Sequence, residues 1–145
     1  MAESLETKLL SIFSNLYALY LKTQNYHWNL TGPHFISIHK LLEEHYEQMA
    51  EEVDELAESI RTLDIKVPAN FNFLGENAEI EAAKHEAAWA VQLEDLRDSH
   101  KVLQRIINNV LGSKMLDGLY AQEDLLVNLL KSHRKMLWML NSLEK

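Results

Sequence analysis

The sequence contains no cysteine, which excludes disulfides, a thiolate nucleophile and a thiolate metal site. That absence fits a reducing compartment. Only four glycines and two prolines occur in 145 residues, so chain breaks are few and long helices are favoured. No apolar run approaches the ~18 residues of a membrane span, so no membrane association is expected. The opening MAESLETKLL lacks a basic region followed by an apolar core, and no secretory signal is visible. The cytoplasm is the expected compartment, with association with the nucleoid left open. Positive charge is also scarce. The formal net charge is −8, Lys8 is the first basic residue and a lone Lys145 is the last. An acidic surface repels phosphate backbones and attracts cations. DNA binding through a basic tail is disfavoured, and DNA binding of any kind is expected to be absent or weak. HExxH, GxGxxG and the Walker phosphate loop are all missing.

What is present reads as one all-α domain over residues 1–145. Four long helical patterns are expected, over about 4–29, 34–63, a third ending near Leu111 at Gly112, and 118–143. In the first, Leu9, Leu10, Phe13, Leu16, Tyr17, Tyr20 and Leu21 recur at helical spacing. Thr31-Gly32-Pro33 separates it from the second. Between the second and third, DIKVPANFNFLGEN carries turn residues, and a short helix is expected after it, near Ala78. The first and third connections are short and make antiparallel neighbours. The middle one is long enough to run the length of a bundle. One long crossover carrying a short helix marks a ferritin-like four-helix bundle.

Such bundles usually hold two irons in their own core through a Glu-x-x-His pair on each of two helices. No histidine here has a glutamate three residues before it. Ligand-type residues gather instead on the second helix. His39 and Glu43 are four apart, as are Asp54 and Glu58, and all four fall within an arc of roughly 100°. Tyr46, Ala50 and Ala57 share that stripe, and the two alanines leave room for a second helix. Glu43 and Asp54 lie about 16 Å apart along the axis at ~1.5 Å per residue. One ion, with metal–ligand bonds near ~2 Å, cannot reach both. Two antiparallel copies could, across a two-fold axis near Gln48 and Met49, and the isologous contact would form the cluster twice. His27, ending the first helix, could complete each cluster.

The strings NYHWNLTGPHF, IHKLLE and VDELAES resemble the Dps family (DNA-binding protein from starved cells) of ferritin-like mini-ferritins. The family pattern is His-Trp, a second His twelve residues on, an acid four later, then Asp-x-x-x-Glu. Here these are His27-Trp28, His39, Glu43, Asp54 and Glu58, at matching intervals. The one departure is Glu43, where the family usually has Asp.

The resemblance implies a homo-oligomeric shell, a dodecamer built from two-fold dimers. It implies Fe(II) oxidation to Fe(III), preferably with hydrogen peroxide, and storage of ferric mineral inside. It also implies that His27, His39 and Glu43 come from one subunit and Asp54 and Glu58 from its partner. Glu58 is the candidate bridging carboxylate, Trp28 and Tyr46 are candidate radical quenchers, and Asp117, Glu123 and Asp124 are candidates for lining a three-fold pore. The remaining histidines, His34, His45, His85, His100 and His133, read as structural or solvated, and Trp89 and Trp138 as core.

Overall fold

A computed structural model describes residues 3–143. Among them are five helices and no strand: α1 (Leu5–Asn29), α2 (Phe35–Arg61), α3 (Phe71–Asn77), α4 (Trp89–Leu111) and α5 (Tyr120–Ser142). Helix α1 packs against α2 and α4, and α5 closes the ring by packing on α2 and α4. The short α3 lies on α1. This is the four-helix bundle with one long crossover that the loop lengths predict.

Local chemistry sets the ends. Ser4 caps α1 by accepting from the Thr7 amide at 3.1 Å. The α1–α2 turn needs a glycine: Gly32 has φ +143°, and an added Cβ would sit 2.7 Å from Trp89 Cδ1. The turn is therefore pressed onto the start of α4. Asp64, at φ 60°, turns the chain out of α2 into the crossover. Gly112 ends α4 as its C-cap, in a right-handed conformation (φ −78°).

The short helix departs from expectation. It occupies FNFLGEN and ends where one was expected to begin, with Ala78 as its C-cap. Asn70 explains this, because its side chain accepts from the Phe73 amide at 2.9 Å and nucleates the turn. Residues 78–88 are then irregular until Trp89. Asn15 ties this stretch to α1, accepting from the Glu79 and Ile80 amides at 2.8 and 2.9 Å. The Tyr26 hydroxyl accepts from the Lys84 amide at 2.6 Å and donates to Asp95 at 2.7 Å. Burial and the Asp95 bond raise the Tyr26 pKa, so the phenol stays protonated. Lys22, buried beside it, pairs with Asp95 at 3.1 Å and donates to Ser99.

The core follows the apolar stripes, with Ile12, Phe13, Leu16 and Leu19 of α1 facing Leu42, Met49, Leu93, Leu96 and Leu126. Fully burying such a side chain contributes ~1.5–3 kcal/mol. Trp138 is not in the core as expected but 62% exposed, and Trp89 is half-buried.

Candidate metal centre

His27 lies in the last turn of α1 and His39 in the second turn of α2, so the Gly32 turn folds them face to face. Their rings stack at 3.8 Å with 10° between planes. Each Nδ1 lies 2.7 Å from the other residue's carbonyl oxygen. A carbonyl can only accept, so both Nδ1 atoms carry the proton. In the neutral form of each ring, Nε2 is then the nitrogen that keeps a lone pair. A backbone hydrogen bond that fixes the tautomer is the usual support of a metal-ligating histidine. His27 is 5% exposed and His39 half-buried. Phe35 stacks on His39 at 4.9 Å, and Tyr46 meets His27 edge-on at 5.1 Å.

Glu43 lies one turn beyond His39 and is exposed, as are Asp54 and Glu58 farther along α2. Asp54 opens on a groove of about 350 Å³ lined by Phe13, Tyr17, Tyr20, Ala50, Val53 and Ala57 among others. His39 and Asp54 are separated by about 22 Å of helix. Among the described residues, no group of three or more acids or histidines is arranged to hold a metal ion. The chain thus presents an imidazole pair at one end of α2 and a carboxylate pair at the other, and does not join them by itself.

Trp28, next to His27 in the sequence, is 60% exposed. Asp117 lies in the turn before α5, and Glu123 and Asp124 in its first two turns, all exposed. Nothing within one chain gathers these three around a point.

A second polar cluster lies inside the bundle. The Glu52 carboxylate accepts from His133 Nε2 at 2.7 Å and from Ser132 Oγ at 2.5 Å. His100 Nδ1 and His133 Nδ1 share a hydrogen bond of 3.0 Å. The His45 ring lies 6.3 Å from that of His100, and neither of its nitrogens has a partner. Burial, then repulsion from His133, lowers the His45 pKa to about 4. Burial, then His133 and His45, holds His100 well below the ordinary range. Taken one at a time in the sequence, these histidines read as structural or solvated. The overlooked signal was their register: His45 and Glu52 fall on the buried stripe of Ile38, Leu42, Met49, Leu56 and Ile60. His100 falls likewise between Leu96 and Leu103, and His133 between Leu129 and Met136.

A ferritin-like domain profile matches residues 6–145. The chain is 33% identical over 87% of its length to a low temperature-induced protein of Nostoc, covering 72% of that protein. It is 30% identical to DNA protection during starvation protein 2 of Bacillus anthracis, over 86% of this chain and 85% of that one. It superposes on the crystal structure of the DPS protein of Vibrio cholerae O1 with a TM-score of 0.89 and 26% identity, over 97% and 88% of the two chains. That structure is described as a member of a superfamily of ferritin-like diiron-carboxylate proteins.

Proposed function

Because the chain belongs to the Dps family of ferritin-like proteins, we propose that it is a ferroxidase that stores and detoxifies iron. It oxidises Fe(II), preferably with hydrogen peroxide, at sites shared between subunits. The ferric mineral is held in a dodecameric shell, and the removal of Fe(II) and peroxide protects against oxidative damage.

The observation that carries this reading is the locked imidazole pair. Two neighbouring histidines each donate Nδ1–H to the other's carbonyl, which leaves Nε2 as the nitrogen able to ligate a metal in the neutral ring. Neutral imidazole and carboxylate together suit Fe(II). The missing oxygen ligands would come from Asp54 and Glu58 of a second copy, related by a two-fold axis near Gln48 and Met49. The groove beside Asp54 and its small alanines is the room such an approach needs. In this arrangement Glu58 bridges, His27, His39 and Asp54 are terminal, and Glu43 reaches the second iron position. Two Fe(II) each give one electron to a peroxide, which takes two protons and leaves as two waters. No hydroxyl radical is released when both electrons arrive. Trp28 would intercept a stray oxidising equivalent, and Asp117, Glu123 and Asp124 would attract Fe(II) at a three-fold pore.

The double variant Asp54→Ala, Glu58→Ala tests the assignment. It should abolish rapid peroxide-driven iron oxidation while sedimentation shows the same shell. Oxidation kinetics equal to the parent protein would refute the assignment.

A further inference from the structure

Three oxidisable phenols join the two halves of the site within one chain. The Tyr46 ring meets His27 at 5.1 Å, and the Tyr20 ring lies 6.3 Å from Tyr46. Tyr17 follows at 5.7 Å from Tyr20, edge to face. Tyr17 and Tyr20 both line the groove that holds Asp54. Each separation is within the ~4.5–7 Å of aromatic rings in contact. The series therefore starts against the imidazole pair and ends beside the carboxylate that serves the other site of a two-fold dimer. All three rings are half-buried, and Gln24 Nε2 holds the Tyr20 hydroxyl at 3.2 Å.

We propose that Tyr46, Tyr20 and Tyr17 form a relay that carries an oxidising equivalent between the two iron sites of a dimer. The proposal rests on the iron-oxidising function above. Where a site holds a single Fe(II), that ion supplies only one of the two electrons peroxide needs. The relay supplies the other. Fe(II), a tyrosine, hydrogen peroxide and one proton give Fe(III), a neutral tyrosyl radical and two waters. The phenol loses its hydrogen as a proton and an electron, and the peroxide O–O bond breaks. The radical then passes from ring to ring and takes an electron from Fe(II) at the second site, together with a proton that restores the phenol. Two irons on separate sites thereby share one peroxide, and no hydroxyl radical escapes.

Packing alone would also explain an aromatic stripe, and phenylalanine would pack as well. Tyr20→Phe keeps the ring and removes the oxidisable phenol, and so do Tyr46→Phe and Tyr17→Phe at the other steps. The assembled protein is loaded with one Fe(II) per site and given limiting peroxide. The iron oxidised per peroxide, spin-trapped hydroxyl radical and freeze-quenched tyrosyl signal are then read. The parent should oxidise two irons per peroxide with a transient tyrosyl radical and little trapped hydroxyl radical. In Tyr20→Phe the yield should fall toward one iron per peroxide and trapped hydroxyl radical should rise, with Tyr46→Phe agreeing. Variants matching the parent in yield and trapped radical remove the relay and leave the proposed function standing. A radical that persists in all three variants and disappears in Trp28→Phe also removes it. A parent protein inert to peroxide overturns both.

Discussion

The neutral histidines inside the bundle make stability fall with acid in a way that one substitution can isolate. His45 is buried with both ring nitrogens unpartnered, and its pKa is lowered to about 4. The unfolded chain would titrate it near ~6.5. Above that pH both states hold it neutral and it contributes no pH dependence. Below it the unfolded state takes up the proton and the native state does not, so stability drops as pH falls from ~6.5 toward the native value. At pH 5 the linkage amounts to ~2 kcal/mol for His45 alone. His100, facing it from α4, shifts in the same direction. His133 on α5 adds to the depression of His45, and the Glu52 carboxylate partly offsets it. His45→Leu removes the titrating group and fits the apolar stripe of Leu42 and Met49. Urea denaturation at pH 7.5 and 5.0, at one protein concentration, should show the parent losing ~2 kcal/mol more than the variant, or ~4–8 °C in Tm. At pH 7.5 the variant should be at least as stable, since two buried unpaired nitrogens are gone. Equal losses in both proteins would mean that native His45 is hydrated or charged, and would refute the reasoning.

Glu52→Ala leaves the fully buried His133 Nε2 and the Ser132 hydroxyl without an acceptor, and should cost ~3 kcal/mol. Glu52→Gln keeps an acceptor oxygen and should lose about half of that or less, both read by urea denaturation at pH 7.5. Gly32→Ala forces an L side chain to φ +143° against the Trp89 ring and should cost ~1–3 kcal/mol, with a shift in Trp89 fluorescence.

The four long helices were legible because apolar residues at 3.6-residue spacing and scarce Gly and Pro are local properties, read without any neighbour. The long crossover, and with it the bundle topology, followed from connection length. The position of the short helix was not legible, because Asn70 can serve a turn or cap a helix, and only the packing of α3 on α1 decides between them. The relative positions of His39, Glu43, Asp54 and Glu58 along α2 were also legible, since spacing along a helix fixes face and distance. Sequence alone thus determined that one copy of α2 cannot bring His39 and Glu43 together with Asp54 and Glu58.

Tertiary structure decided the rest. The crossing of His27 and His39, each bonded to the other's carbonyl, depends on how the Gly32 turn docks on Trp89, and no spacing rule gives a tautomer. The meeting of Glu52, His133, His100 and His45 required three helices to be brought into register, because a histidine on an apolar stripe declares burial but not its partners. The tyrosine series from His27 to the Asp54 groove arises in the same way. Tyr17 and Tyr20 belong to α1 and Tyr46 to α2, and only the packing of those helices makes them one path.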